Sequence, residues 1–392
     1  MASREIEPAP LHTSRYTPDG DATVESRISH DQQLIAAAVT DLVPTANFRA
    51  LVLIGGYARG EGGFRFVDGS PEPYNDYDYF VVVGGMNQPA VQALKPQLLE
   101  LGHTLTKQVG VEVDLEVLKT ENLPGAEYSL MHAEMLWGHR VVAGESGILA
   151  GMPPMPFANL GLAEFTRLML NRGSLLLMNR RALVTGATCE PQQREQFMKY
   201  LFKAVLACGD ARLAAAGRYH PAYVEKWQRL QHMQWTGHAR FLTQYEMALE
   251  AKFHPAYGQY ASADLTKCLR QVTELWLETL AHMESVRLGS HTGNWSEYAS
   301  PSISKGQSAP GLRGLLRNVG VTLRDYGPLE LLTNLRWSLR YPRERLISIL
   351  PGLLDGPGLV HDSQLATALS LTAGDGWHEM TRSYLEHWHR YS

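Results

Sequence analysis

Two carboxylates lie two residues apart where an apolar stretch of the sequence begins. Asp76 and Asp78 flank Tyr77, and the chain continues as FVVV, which is typical of a strand buried on both faces. Residues two apart in a strand share a face, so both carboxylates point the same way. They repel each other unless a cation lies between them, and Mg²⁺ binds carboxylate and phosphate oxygens together. The pair therefore predicts a site that binds a cation and, through it, phosphate groups.

A second acidic stretch offers a third carboxylate. Across residues 111–118, Glu112, Asp114 and Glu116 alternate with apolar residues and therefore share one face of a strand. If this strand pairs beside the first, one of its acids completes a two-metal phosphoryl-transfer site. We expect that acid to be Asp114, with Glu112 and Glu116 as alternatives. The competing interpretation is a surface strand whose acids face solvent.

Glycines precede the paired carboxylates. The apolar run 50–54 ends at Gly55 and Gly56, and glycine allows positive φ and close approach of the backbone to a ligand. Backbone amides in such a turn can hold a phosphate, and Arg59 is close enough in sequence to contribute, with an ordinary surface arginine as the alternative. The spacing matches neither the P-loop nor the dinucleotide-binding fingerprint.

This order of motifs resembles the signature of the DNA polymerase β-like nucleotidyltransferase superfamily. Gly55-Gly56 matches its glycine pair, Asp76-Tyr77-Asp78 its DxD motif and Asp114 its later strand acid, within about residues 45–145. There are two departures. Tyr57 follows the glycines where many members have Gly-Ser, and residues 63–73 lengthen the gap before the acids. Asp68-Gly69 within this insertion predicts a tight hairpin.

The resemblance implies transfer of a nucleoside monophosphate from an NTP to a hydroxyl or similar acceptor, with release of pyrophosphate. It implies Mg²⁺, with Mn²⁺ as an alternative ion, held by Asp76, Asp78 and Asp114, which are then also the catalytic residues. It implies that Gly55 and Gly56 bind the nucleotide.

The resemblance also implies a lysine, contributed by a helical partner domain, that contacts the triphosphate. A helix is predicted over residues 192–217, with Phe197, Leu201 and Val205 on its apolar face. Lys199 and Lys203 lie opposite and are the candidates for nucleotide binding. The alternative is a solvated polar stripe.

Hydrophobic periodicity predicts the elements that position these residues. Helices are expected from Asp31 and over residues 88–105, strands at 50–54, 77–83 and 111–118, and almost only helices beyond residue 160. We therefore expect an α+β fold, with a flexible N-terminal extension (1–29), a small mixed-sheet nucleotidyltransferase domain (30–152) and a mostly α-helical domain (153–392). Residues 289–311, rich in Gly, Ser and Pro, predict an internal loop or linker.

Composition and charge indicate which classes of partner the protein has. With 36 basic and 40 acidic residues the net charge is −4, which favours a small-molecule or protein acceptor over nucleic acid. Several arginines between Arg313 and Arg345 could still bind RNA or an anionic acceptor if they share a face, the alternative being surface charges paired with acids. No apolar run predicts a signal peptide or a membrane span, so we expect no membrane partner. Three cysteines without a CxxC pair are typical of reduced thiols, which indicates the cytoplasm.

Two further functions stay open from the sequence. One is a catalytically silent nucleotide-binding sensor, against which the presence of all three acids argues. The other is a toxin-like transferase that modifies tRNA or a protein.

Overall fold

A computed structural model describes residues 11, 13–188, 190–290, 292, 294–309, 311–355, 363–371 and 376–391. The chain forms two compact units. The first runs to Leu160 and also includes His220–Gln228 and Leu249–Ala256, and the second comprises Gly161–Tyr219, Arg229–Ala248 and the chain from Tyr257. We expected one boundary at residues 152–153, whereas the division follows Leu160 and two later segments pack with the first unit.

The first unit contains all the described strands and four helices of the N-terminal part. The strands are β1 (Phe48–Ile54), β2 (Phe64–Val67), β3 (Ser70–Pro73), β4 (Tyr77–Val83), β5 (Val113–Lys119) and β6 (Arg140–Gly144). The helices are α1 (Ala22–Leu42), the single turn α2 (Gly55–Ala58), α3 (Gln88–Val109), which continues through Pro96, and α4 (Leu130–Trp137).

Four strands form one mixed sheet in the order β5-β4-β1-β6. β1 is antiparallel to β4 and β6, whereas β4 and β5 are parallel. The centre of β1 and nearly all of β4 are buried, as the apolar runs predicted, and these strands form the core together with α1 and α3. The expected α+β class with a small mixed sheet is confirmed.

The N-terminal segment corrects our expectation of a flexible extension. Helix α1 begins at Ala22, and Asp21 caps it by accepting hydrogen bonds from the amides of Thr23 and Val24. The Glu25 carboxylate accepts hydrogen bonds from backbone amides of the preceding segment, which hold the chain from Tyr16 onward against the helix. Asp31, which we expected to cap the helix, lies buried in its middle because a stronger cap occurs ten residues earlier.

The insertion between the glycines and the paired acids forms the predicted hairpin. β2 and β3 are antiparallel, and Phe64 pairs with Pro73. Asp68 and Gly69 at the tip have φ angles of 49° and 82°. Two successive positive φ values are what a two-residue hairpin turn requires.

The described chain beyond residue 160 is built from helices α5 to α16. They are α5 (Leu162–Thr185), α6 (Pro191–Ala215), α7 (Tyr223–Gln231), α8 (His238–Phe253), α9 (Leu265–Leu288), α10 (Trp295–Tyr298), α11 (Gly311–Asp325), α12 (Pro328–Thr333), α13 (Leu335–Ser338), α14 (Pro342–Asp355), α15 (Ser363–Ala368) and α16 (Trp377–Tyr391). The mostly helical character predicted beyond residue 160 is confirmed. Among the described residues, no helix is both long enough and apolar enough to cross a membrane.

The stretch 289–311 is a packed loop rather than a linker. Both of its ends belong to the second unit. The buried Glu344 carboxylate accepts hydrogen bonds from the amides of Lys305 and Gln307, each at 2.7 Å, and of Ser308 at 3.1 Å. One carboxylate therefore holds three backbone amides within residues 305–308, a long-range contact that composition alone does not reveal.

Two of the three cysteines lie in described parts of the second unit. Cys208 is fully buried, and burial raises the pKa of its thiol to about 12, so it is protonated and inert at neutral pH. Cys268 is half-buried, and its pKa is also raised by burial. Cys189 lies outside the described residues.

Candidate active site

The sheet register brings the predicted carboxylates together. Asp78 is the direct partner of Asp114 across the parallel β4–β5 pair and of Ile54 across the antiparallel β1–β4 pair. Neighbouring strands lie about 4.8 Å apart, and side chains at paired positions point to the same face. Asp76 precedes Asp78 by two residues and shares that face. The register therefore makes Asp78 and Asp114 neighbours next to the end of β1, and Asp76 lies directly before β4.

Asp114 is the acid of β5 that fits the site best. Glu116 pairs with Phe80, one step further from the glycine turn, and Glu112 precedes the strand. Burial raises the pKa of the Asp114 carboxyl, and the negative charge of Asp76 raises it further. Two negative charges near each other make ionisation of either carboxyl less favourable.

The first glycine of the pair touches one of the acids. Gly55 has φ +75°, a conformation that side-chain-bearing residues rarely adopt. A Cβ atom at this position would lie 3.0 Å from Oδ2 of Asp78. Gly56 is the second residue of the single turn α2, and a Cβ there would lie 3.1 Å from the Glu61 carbonyl oxygen. The turn therefore needs glycine because of both its backbone conformation and the closeness of the Asp78 carboxylate.

Tyr57 ties the glycine turn to the segment that leads into Asp76. Its ring is fully buried, and its hydroxyl donates to the Gly63 carbonyl oxygen at 2.7 Å. The Tyr57 hydroxyl oxygen in turn accepts hydrogen bonds from the amides of Tyr74 at 3.0 Å and Asn75 at 3.1 Å. Asn75 forms a second connection between the same two segments, because its side-chain oxygen accepts a hydrogen bond from the Gly63 amide. This network fixes the backbone directly before the paired acids.

Arg59 lies in a buried network of charges. Its Nε is 3.4 Å from Glu61, and its Nη1 is 3.5 Å from Glu134 on α4. Lys226, almost fully buried, places its Nζ 4.0 Å from the other oxygen of Glu134. Glu61 also accepts a 2.6 Å hydrogen bond from the amide of Tyr223. The predicted contact of Arg59 with a phosphate stays a prediction, and in this structure two carboxylates engage its guanidinium.

Lys199 and Lys203 lie on α6, in the second unit. Both lysine side chains are half-buried, and most of the neighbouring positions on the helix are buried. Asp210, which continues the same stripe, is 7% exposed, so the stripe is not the solvated face considered as the alternative. The assignment of these lysines to the nucleotide stays a prediction.

The chemistry of the acidic face fits a hard cation. Asp76, Asp78 and Asp114 offer only oxygen ligands, at backbone positions that the register makes adjacent. Their side chains do not converge in this structure, and across the described ranges there is no group of three or more His, Cys, Asp or Glu arranged to hold a metal. A cation would have to draw the carboxylates together from neighbouring positions on one face.

Comparison with known proteins yields one structural likeness. No family model matches this chain, and no curated protein matches it. Among solved structures, spectinomycin adenyltransferase AAD(9) from Enterococcus faecialis, determined with ATP and spectinomycin, aligns with a TM-score of 0.38 at 10% identity. The alignment covers 63% of this chain and 98% of that one. A likeness at this level does not bear on the activity of this chain.

Several residues around the site carry no recognisable motif. Tyr57 stands out in the sequence only as a departure from Gly-Ser, and no motif marks Asn75, although it directly precedes the paired acids. Glu61, Glu134 and Lys226 come from distant parts of the sequence, and no spacing rule joins them. The available signal was local: a tyrosine after a glycine pair is too large to be accommodated without a dedicated pocket.

Proposed function

We propose that this protein is a metal-dependent nucleotidyltransferase. The observation that carries the proposal is the register of β4 and β5, which pairs Asp78 with Asp114 next to the glycine turn that ends β1. Asp76 completes a set of three carboxylates on one face. Carboxylates gathered beside backbone amides suit the binding of a nucleoside triphosphate through a divalent cation.

Each acid has a role in this proposal. Asp76 and Asp78 hold Mg²⁺, or Mn²⁺ in its place, together with Asp114. When bound, the metal neutralises negative charge on the triphosphate and on the departing pyrophosphate. In this scheme Asp114 also accepts the proton of the acceptor hydroxyl. The three side chains must turn toward one another when the cation binds.

The nucleotide contacts follow from the glycine turn. The positive φ of Gly55 and the short turn α2 that contains Gly56 present backbone amides at the edge of the acidic face. We assign these amides to the phosphates of the NTP, and Arg59 to the same phosphates if the nucleotide displaces one of its carboxylate partners. Lys199 or Lys203 supplies a further cation in this scheme.

We place the activity in the cytoplasm and the acceptor among small molecules or protein side chains. The net charge of −4 supports this choice because it offers no general attraction to a polyanionic acceptor.

The test is a transfer assay with each α-labelled NTP and Mg²⁺, with and without cell extract. We expect pyrophosphate release and incorporation of label into the acceptor, which identifies the acceptor class. The same assay on Asp76→Asn/Asp78→Asn should show neither. The matched control is Glu116→Gln, which removes a carboxylate from the same face beside Phe80.

Two results would argue against the proposal. Full transfer by the double aspartate variant would exclude these acids from the chemistry. Metal-dependent nucleotide binding without any transfer would favour the silent sensor instead. Growth arrest on expression of the intact protein, absent with the double variant, would point to a toxin-like transferase that uses the same site.

A further inference from the structure

Helix α11 buries its polar side and exposes its leucines. The residues it turns inward are Gly314, Asn318 and Thr322, spaced four apart. The Asn318 side chain donates to the Leu339 carbonyl oxygen at 3.0 Å, and the Thr322 hydroxyl to that of Ser338 at 3.3 Å. An amphipathic helix normally does the opposite. The orientation is fixed by these hydrogen bonds, so the exposed leucines are a property of the fold.

The exposed surface of α11 has two stripes. At about 100° per residue, Leu312, Leu316 and Leu323 project along one line, and Arg313, Arg317 and Arg324 along a line about 100° away. Leu312 is 70% exposed and Leu316 62%. Basic residues thus flank a row of leucines on the side of the helix that faces solvent.

The two short helices that follow extend the apolar surface. α12 and α13 pack against α11 and against each other. They expose Leu329 at 68% and Leu332 at 83%, and Leu335 and Leu339 are exposed as well. Arg336 lies exposed among them. We call the whole surface the leucine face; its members are Leu312, Leu315, Leu316, Leu323, Leu329, Leu332, Leu335 and Leu339.

The charge around the leucine face is basic. Asp325 is paired with Arg324 at 2.7 Å, and the buried Glu330 with Arg345, also at 2.7 Å. Within the part of the chain that the structure describes, Arg313 and Arg336 are in no ion pair with an acid. The neighbourhood therefore carries positive charge that its own acids do not neutralise, although the whole chain is acidic at −4.

We propose that the leucine face docks on an anionic phospholipid surface. Leucines beside arginines are the composition of helices that lie in the plane of a membrane interface, with apolar side chains in the acyl region and guanidinium groups at the lipid phosphates. The leucines spread over three packed helices, which suits a flat surface better than the groove of a single partner helix. Such contact is peripheral and needs no membrane-spanning segment, so it modifies our expectation of no membrane partner.

A second copy of the chain fits this face less well. In an antiparallel two-fold pair of α11 helices, the same flank of each helix meets its symmetry mate. Both arginine stripes would then lie on the same side of the pair, where like charges repel each other and destabilise the interface. An anionic surface instead pairs the leucines with acyl chains and the arginines with phosphates.

The test is flotation of the full-length protein with vesicles of phosphatidylcholine containing about one-third phosphatidylglycerol, and with vesicles of pure phosphatidylcholine. We expect binding to the anionic vesicles, weakening as salt rises, and at least tenfold less to the neutral ones. Leu316→Gln/Leu332→Gln should reduce binding at least tenfold. Arg313→Gln/Arg336→Gln should do the same on anionic vesicles only.

Leu99→Gln is the matched control, because Leu99 is 60% exposed on α3, in the first unit, and its loss should leave binding unchanged. The replaced side chains are exposed, so circular dichroism should show all variants folded. Three results would overturn the proposal: no flotation with anionic vesicles, equal binding by Leu316→Gln/Leu332→Gln and the parent protein, or a dimer in light scattering that this variant abolishes. The last would assign the face to a second copy of the chain.

Discussion

The polar side chains on the two faces of strand β4 have different surroundings. On one face Tyr77 and Tyr79 are buried against α1, where the Tyr77 hydroxyl donates to Asp31 at 3.0 Å and the Tyr79 hydroxyl to Gln32. On the other face Asp76 and Asp78 lie beside Asp114, and the charges of Asp76 and Asp114 oppose each other.

The difference separates stability from chemistry along one strand. On the tyrosine face both hydroxyls have partners within the protein, so they need no ligand to satisfy them. The acidic face gathers like charges at neighbouring positions, an arrangement that costs free energy until a cation binds. Alternation of side chains along a strand allows both within seven residues.

The largest expected effect is that of Asp78→Asn on transfer. Loss of one metal ligand should lower the rate about a thousandfold, equivalent to ~4 kcal/mol of activation free energy. The melting temperature should stay the same or rise slightly, because one of several neighbouring negative charges is removed. Steady-state kinetics and differential scanning calorimetry measure the two effects. Glu116→Gln should keep its rate within about twofold, and a comparable loss in that variant would remove the distinction between these acids.

Tyr57→Phe should affect both stability and activity. Removing the hydroxyl takes one hydrogen-bond partner each from the Gly63 carbonyl and the amides of Tyr74 and Asn75, although the first two still bond to each other at 3.0 Å, and it should cost about 1–3 kcal/mol in urea unfolding. Transfer should fall as well, since the segment before Asp76 loses its anchor. Tyr16→Phe is the control. The Tyr16 ring packs under the Arg140 guanidinium, and phenylalanine should keep this contact without the hydroxyl, so stability should stay unchanged. Unchanged stability in Tyr57→Phe would contradict the role of this network.

Tyr79→Phe should affect stability alone. The Gln32 side-chain oxygen loses its donor, and unfolding free energy should fall by about 1–2 kcal/mol. Adding Gln32→Leu should restore much of this loss, because both polar partners are then absent. Transfer in either variant should remain within about twofold of the parent, as this face contacts no substrate in our account. A large loss of activity without a loss of stability would break the comparison between the two faces.

The smallest effect is on the titration of Asp114. Its raised pKa means that the carboxylate becomes protonated at a higher pH than an ordinary aspartate as the pH falls. The folded state therefore gains relative stability from this group at low pH and loses it as pH rises through the raised pKa. Asp76→Asn should lower the pKa of Asp114, and carbon-detected NMR of the carboxyl groups follows it. An unchanged pKa would mean that the two acids do not interact.

Sequence alone predicted much of the sheet and its acids. Period-two alternation and buried apolar runs indicated β1, β4 and β5, and Asp68-Gly69 indicated the hairpin. The sequence left open whether the strands of Asp78 and Asp114 pair in parallel. Alternation shows which face of a strand a side chain occupies, but it does not show which strand lies beside it.

Contacts between distant segments could not be predicted in this way. The anchoring of the N-terminal segment depends on the Glu25 carboxylate, which accepts hydrogen bonds from backbone amides. The cap of the helix is Asp21, whereas the local sequence pattern predicted Asp31. Residues 289–311 resembled a linker by composition, yet Glu344 holds that backbone from a helix more than thirty residues away. Such carboxylate-to-backbone hydrogen bonds leave no periodic trace in the sequence.

The most direct test of the acidic face is binding of Mn²⁺, followed by electron paramagnetic resonance with an NTP present. The account predicts saturable binding by the parent protein and by Tyr79→Phe. Binding should weaken at least tenfold in Asp78→Asn and in Asp114→Asn, because each loses a carboxylate ligand. Equal Mn²⁺ affinity in the parent and both aspartate variants, all folded, would contradict the claim that this face is a cation site.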